Sequence, residues 1–318
     1  MQIAFIGVGG IAQNYIGSLE KLKRPVAAVC DINDQTAARV ADELDCNGYT
    51  DHREMLDREN LDVVFVAIPP VAHETQTIDA VEAGAHVFVA KPVAMDLELA
   101  RRTQEAIAAS GRINQVGYMA RYSDVTERAK ELVQGRDLGM GMGRFLVRMP
   151  PSHPWWGKFA VSAGQLVEQS THVFDWLRYF LGEVVSVHAF GHDGPDDTIA
   201  DFEDSTSVNL RFASGAVGSI VSTCSARVID GFMTELCGRD LYLRLAMDTH
   251  LSGYIDQEEI DYHGQERGYY RQIECFLTAV EAQDQSLVRS SYADAVNTLA
   301  VTLAANRSLE SGQLETVD

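Results

Sequence analysis

Ile3-Ala4-Phe5-Ile6-Gly7-Val8-Gly9-Gly10-Ile11-Ala12 decides how this chain reads. Four apolar residues predict a short buried strand. A glycine-rich turn follows at once, and Ile11, Tyr15, Ile16 and Leu19 then recur at helical spacing. In that strand–turn–helix context Gly7, Gly9 and Ala12 form the G-x-G-x-x-A pattern of a dinucleotide-binding turn. Gly7 permits the sharp exit from the strand. Gly9 has no side chain, so a pyrophosphate can approach the backbone. Ala12 lets the helix lie close to the sheet. Val8, Gly10 and Ile11 complete the loop, and the free N–H groups at the helix N-terminus suit an anionic ligand.

The second apolar run, Pro25-Val26-Ala27-Ala28-Val29-Cys30, ends in Asp31. That acid stands about 20 residues beyond the glycines, where such folds place the carboxylate that binds the adenosine ribose hydroxyls. A carboxylate there repels a 2′-phosphate, and Ile32 and Asn33 follow it in place of arginines. NAD is therefore expected over NADP. A cap for the helix opening near Asp34 is the alternative role for Asp31.

Strand and helix patterns alternate up to about residue 120. Helices are predicted over 35–44, 51–58, 73–83 and 96–109, and strands over 48–50, 63–68, 86–89 and 113–116. The fold expected is a doubly wound parallel sheet of the Rossmann type over residues 1–120. Ligands in such sheets bind at the carboxyl ends of the strands. That places Ile68, Pro69 and His73 beside the cofactor. Lys91 follows the buried run His86–Val89, where a cation would polarise a carbonyl or stabilise an alkoxide. A solvated lysine at the start of a loop is the alternative.

Residues 121–318 read differently, as an α+β domain. A helix is predicted over 124–134, then a glycine-rich stretch, then a strand over 144–149. Trp155 and Trp156 sit in a proline-rich loop and either stack on a sugar ring or fill an interface. One helix is predicted from Ser162 to Leu181. It carries Glu168, His172, Asp175 and Tyr179 as one polar stripe, with an acid one turn before a neutral-pH base. From 183 to 263 the period is two, in runs such as Val184–Phe190, Thr206–Phe212 and Val217–Thr223, which predicts an antiparallel sheet. Two helices, about 269–282 and 292–311, close the chain.

Composition bounds the function class. The chain has 318 residues and a formal net charge of −20, which argues against nucleic acid or an anionic membrane as partner. No apolar run reaches the ~18 residues of a membrane helix. With a strand starting at residue 3, no signal peptide is expected. Five scattered cysteines without a C-x-x-C suit reduced thiols, so a cytoplasmic location is expected. The histidines show no metal-ligand spacing, so no metal is expected. Only five lysines occur, and an acidic, lysine-poor surface suits a salty cytoplasm.

Together these residues resemble the Gfo/Idh/MocA oxidoreductase family over essentially the whole chain. The family's Glu-Lys-Pro motif stands here as Ala90-Lys91-Pro92, with the glutamate missing. Its helix motif stands as Gly164…Glu168-x-x-x-His172-x-x-Asp175, with glutamate for the first aspartate. The resemblance implies a Rossmann domain, a C-terminal domain with an open, mostly antiparallel sheet, and a homodimer or homotetramer built through that sheet. It implies an NAD-dependent dehydrogenase of a sugar or polyol. Lys91 and His172 would be its catalytic pair and Glu168 the group that orients the substrate or the histidine. Asp175, His153, Trp155 and Trp156 would contact the substrate. A keto-sugar reductase and a non-catalytic NAD- and sugar-sensing regulator are the competing readings.

Overall fold

In a computed structural model of the chain, which describes residues 1–149, 154–192, 194, 200–226 and 231–317, strand β1 (Ile3–Ile6) is buried at every position. It leads into α1 (Gly10–Lys21), β2 (Val26–Cys30), α2 (Asp34–Leu44), β3 (Asn47–Tyr49), α3 (His52–Arg58), β4 (Val63–Val66), α4 (Gln76–Glu82), β5 (His86–Val89), α5 (Leu97–Ser110) and β6 (Asn114–Val116). The six strands form one parallel sheet in the order β3-β2-β1-β4-β5-β6. All residues of β1, β4 and β5 are buried, which is why they read as continuous apolar runs. The strand order reverses between β1 and β4, so a crevice opens at their carboxyl ends.

Beyond residue 117 come α6 (Asp124–Val133), β7 (Leu138–Leu146), α7 (Phe159–Ser162), α8 (Gly164–Glu168), α9 (Thr171–Leu181), β8 (Val184–His192), β9 (Ser205–Phe212), β10 (Val217–Thr223), β11 (Gly231–Gly238), β12 (Leu241–Ala246), β13 (His250–Ile255), β14 (Glu258–His263), α10 (Gly268–Ala282), α11 (Tyr292–Ser311) and β15 (Glu315–Thr316). Nine strands make one sheet, ordered β14-β13-β12-β11-β7-β10-β9-β8-β15. Strands β7 and β10 run parallel, and the other neighbours pair antiparallel.

Three local expectations change. The strand predicted at 144–149 begins at Leu138 and takes in the glycines. Helix α9 lies against them: a Cβ on Gly143 would stand 2.2 Å from Val173, and one on Gly141 2.6 Å from Leu181. These glycines therefore form the floor for a helix. Within 183–263 the alternation marks strands near 232–237, 241–245 and 259–262 but none at 250–255, where strand β13 carries Gly253 at φ +147°, and a Cβ there would meet the Tyr242 carbonyl oxygen at 2.0 Å. The single helix predicted over 162–181 is broken into α8 and α9. The Gln165 carbonyl accepts from both the Ser170 N–H and the Ser170 hydroxyl, and these bonds compete with continuous helix at Gln169–Ser170.

The chain divides into two compact units, Met1–Gly117 with Tyr269–Val296, and Tyr118–Gly268 with Asn297–Asp318. A single division at 120/121 would give residues 269–296 to the second domain. Instead Ile273, Phe276, Leu277, Ala279 and Val280 of α10 enter the core of the first unit. Phe276 packs edge-on to Phe65 and Phe88, with centroids 6.0 and 5.5 Å away. An apolar stripe at helical spacing says that a helix is covered, and nothing in it names the sheet that does the covering.

Candidate active site

The dinucleotide turn is built as its residue types require. Gly7 sits at φ +85°, and a Cβ there would stand 2.4 Å from the Ala67 carbonyl oxygen at the end of β4. No residue but glycine fits without moving that backbone. Around Gly9 the space is open, with nothing within 4 Å of where a Cβ would lie. Gly9 is the N-cap of α1. It makes no side-chain capping bond, and the first turn holds no acid. The amides of the helix N-terminus are thus left for an anion. Ala12 is fully buried beneath the helix. Val8, Gly10 and Ile11 complete this loop, as the sequence places them.

Asp31 is held beside the turn. Its Oδ2 accepts from the Val8 N–H at 3.1 Å, and its Oδ1 accepts from the Asn33 N–H at 3.0 Å. The cap of α2 is Asn33, whose Oδ1 accepts from the Thr36 N–H at 2.9 Å. Asp31 therefore does not serve as the helix cap, and each of its oxygens keeps lone-pair capacity for a ribose hydroxyl. The open backbone at Gly9, the uncapped helix and this carboxylate fit a dinucleotide.

At the end of β4, Ile68 and Pro69 lead into a short 3-10 turn, Pro70–Ala72, and His73 closes it. His73 is buried, with a ring hydrogen bond to the Ile68 backbone, and its Nε2 has no hydrogen-bond partner among the described residues. Burial pushes its pKa down to about 4, so the imidazole is neutral. Ala90 is buried in the core of the unit, and the next residue, Lys91, is half-buried, just past β5. The Lys91–Pro92 peptide is cis.

In the second unit α8 and α9 bury a run of polar side chains. Glu168 is 6% exposed and His172 9%. They stand on opposite sides of the helix break, so the continuous i, i+4 stripe expected of them does not exist. The His172 ring lies edge-on to Tyr118 and stacks near Phe232, with centroids 6.1 and 6.3 Å away. Tyr118 shares a 3.0 Å hydrogen bond with Thr171, and burial pushes its phenol pKa up. Trp155 and Trp156 are half-buried and pack edge to face, with centroids 5.7 Å apart. His153 lies outside the described residues.

Asp175 departs from the expected substrate contact. It is fully buried, and both its oxygens are engaged. Arg121 donates from Nε to Oδ2 at 2.8 Å and from Nη2 to Oδ1 at 2.6 Å. Thr298 adds a 3.1 Å hydrogen bond to Oδ1 and receives one from Arg178 Nη1 at 2.6 Å. A bidentate ion pair of this kind fixes geometry, so Asp175 acts as an anchor for the helix. Sequence reading also passed over Gln165 and Gln169, which are 3% and 5% exposed, with neither amide atom of either side chain partnered among the described residues. Their signal was two amides flanking Glu168 in a segment that also holds Leu166 and Val167, since amides that become buried are ordinarily hydrogen-bonded.

Comparison with known proteins gives this arrangement its family. The family model for an oxidoreductase family with an NAD-binding Rossmann fold matches residues 1–118, and the Gfo/Idh/MocA C-terminal domain matches residues 126–243. The chain belongs to the Gfo/Idh/MocA oxidoreductase family. Its first unit is the NAD-binding Rossmann domain of that family. Among its relatives, myo-inositol 2-dehydrogenase of Thermotoga maritima is 28% identical over 73% of this chain and 70% of its own length. The uncharacterized oxidoreductase YrbE of Bacillus subtilis is 26% identical over 68% of this chain, a match that spans a little under two thirds, 64%, of YrbE. Levoglucosan dehydrogenase, solved with NADH and levoglucosan, shares the fold at a TM-score of 0.90, with 21% identity, over 100% of this chain and 99% of that one. The WlbA dehydrogenase of Bordetella pertussis, solved with NADH and UDP-GlcNAcA, shares it at 0.85, with 22% identity and the same coverage.

Proposed function

We propose that this chain is an NAD-dependent dehydrogenase that oxidises a secondary alcohol of a sugar or polyol, a pyranose, an inositol or a related ring. The observation that carries the reading is the buried polar run of α8–α9. Gln165 and Gln169 hold four amide atoms without a hydrogen-bond partner among the described residues, on the same segment as Glu168 and the neutral-pH base His172. Buried amides of this kind match a ligand that brings several hydroxyl groups of its own. The relatives support the ring alcohol, being named as dehydrogenases of inositol and of levoglucosan.

In this reading His172 accepts the proton of the reacting hydroxyl. The Lys91 ammonium stabilises the oxygen as it becomes an alkoxide. Glu168 orients the base, and Asp175 with Arg121 pins the helix that carries it. Trp155 and Trp156 offer apolar faces to the ring of the substrate. When bound, NAD supplies the two-electron acceptor for the carbon being oxidised. Gly7 to Ala12, Asp31, Ile68, Pro69 and His73 hold it, and Lys91 borders it. The enzyme is a homodimer or homotetramer formed through the open face of the nine-stranded sheet. Met140, Val217, Val221, Tyr242 and Tyr254 are exposed on its strands and support that contact. Five free cysteines support a reducing, cytoplasmic location. Among the described residues, no helix is long and apolar enough to cross a membrane.

The test is a panel of inositols, pyranoses and acyclic polyols, run with NAD and with NADP while NADH or NADPH absorbance is followed. Turnover of a ring alcohol with NAD is expected. NADH binding without turnover of any alcohol, or of any ketone in the reverse direction, would favour the sensing regulator.

A further inference from the structure

Away from the dinucleotide turn and the α8–α9 run, the hairpin of β13 and β14 gathers a set of metal-ligating side chains. The two strands pair antiparallel, with His250 opposite His263 and Ser252 opposite Asp261. Residues two apart on a strand share a face, so Asp261 and His263 stand together, and His250 joins them from across the ladder. His250 Nε2 lies 2.6 Å from Asp261 Oδ1, and His263 Nε2 lies 3.8 Å from the same oxygen. The ligand atoms of all three lie within 4.8 Å of one another. The two imidazole rings are parallel to within 2°, with centroids 4.2 Å apart.

We propose that His250, Asp261 and His263 bind a divalent transition ion of the zinc class, with water in the remaining position. One ion pair needs one histidine, but here two imidazoles aim the same nitrogen at one carboxylate oxygen. A single divalent ion within reach of all three ligand atoms bonds all three groups. Zinc bonds imidazole nitrogen and carboxylate oxygen at roughly 2.0–2.2 Å, so tetrahedral ligand atoms stand roughly 3.4 Å apart. The 2.6 and 3.8 Å separations bracket that spacing. The stacked rings share no plane, so His263, whose side chain is 74% exposed, turns out of the stack until its ring plane contains the ion, and Asp261, 61% exposed, follows it. Two imidazoles and one carboxylate favour zinc, nickel or copper over the all-oxygen preference of magnesium and calcium. A search for ligand spacing along one segment does not find this site, because its donors come from two strands joined by a turn.

The test uses the full chain stripped with a chelator and compares it with His263→Ala, Asp261→Asn and the double variant His250→Ala/His263→Ala. Zinc uptake is measured by calorimetry and by metal analysis after dialysis, and cobalt(II) absorption reports the ligand field. The unaltered chain is expected to take up one zinc ion more than the double variant. His263→Ala should lose more than about tenfold in affinity, since even outer-sphere changes cost about tenfold. Zinc should raise the melting temperature of the unaltered chain and not of the double variant. Circular dichroism and NADH binding, both unchanged, establish that the variants are folded. Equal zinc uptake by the double variant, or saturation only at millimolar zinc, would overturn the assignment.

Discussion

The proposed preference for NAD rests on Asp31, and replacing it with serine isolates its contribution. The carboxylate is fixed by the Val8 and Asn33 amides at 3.1 and 3.0 Å, so it meets a ribose without reorganising. Serine keeps a hydroxyl to accept from a neighbouring amide and loses the charge. A hydrogen bond to a charged group contributes about 1.5–3 kcal/mol. Its loss should raise the dissociation constant of NADH roughly 10- to 150-fold. The opposite effect falls on NADPH. A carboxylate about 4 Å from a phosphate is repelled by about 4 kcal/mol per unit charge at an effective dielectric of 20. Asp31 is half-buried, so solvent screening reduces that figure, and a gain of about tenfold in NADPH affinity is a conservative expectation. The ratio of the two affinities should therefore shift by roughly a hundredfold or more. Fluorescence titration with NADH and NADPH reads this directly and needs no substrate. An unaltered enzyme that binds NADPH as tightly as NADH would refute the reasoning. So would an Asp31→Ser variant whose ratio does not move.

Three further outcomes follow from named residues. Lys91→Ala should lower kcat by about a hundredfold or more, the range seen when one donor to a developing oxyanion is removed. NADH affinity should stay close to that of the unaltered enzyme, and near-normal turnover would remove Lys91 from the chemistry. His73 is neutral in the fold, with its pKa near 4, while the unfolded chain protonates the same ring below about 6.5. Its contribution to stability is therefore intact above pH ~6.5, is lost by up to roughly 3 kcal/mol as pH falls towards 4, and changes no further below that. Denaturant titrations across this window should show the slope in the unaltered chain and a shallower one in His73→Gln; identical slopes would contradict a buried neutral ring. Asp175→Asn leaves Arg121 buried without its counter-charge, and breaking a buried pair in this way costs about 3–5 kcal/mol. Urea unfolding followed by tryptophan fluorescence measures that loss, and a change under about 1 kcal/mol would mean that the pair anchors nothing.

What the sequence displays and what it hides divide along one physical line. The Rossmann half is legible because its information is local. A parallel strand buried on both faces is a continuous apolar run, and the tasks of Gly7, Gly9 and Ala12 are set by neighbours a few residues away. Even the exclusion of Asp31 as a cap depends only on Asn33, two residues on. The second half rests on pairings across long separations. The partner of Asp175 is Arg121, 54 residues earlier, and Thr298, 123 residues later, and no periodicity encodes either. Gly141 and Gly143 read as a loop until α9 is laid on them. Distance also explains the misplaced role of Asp175. Along the helix it resembles a spare acid near His172, available to a substrate hydroxyl. In space its charge is already matched by Arg121, and it stands three residues, close to one turn, beyond His172 on α9. A carboxylate fixed there holds the turn that carries His172. In the proposed mechanism Asp175 would act only through the position of His172, and its loss should alter turnover only to the extent that it loosens that helix.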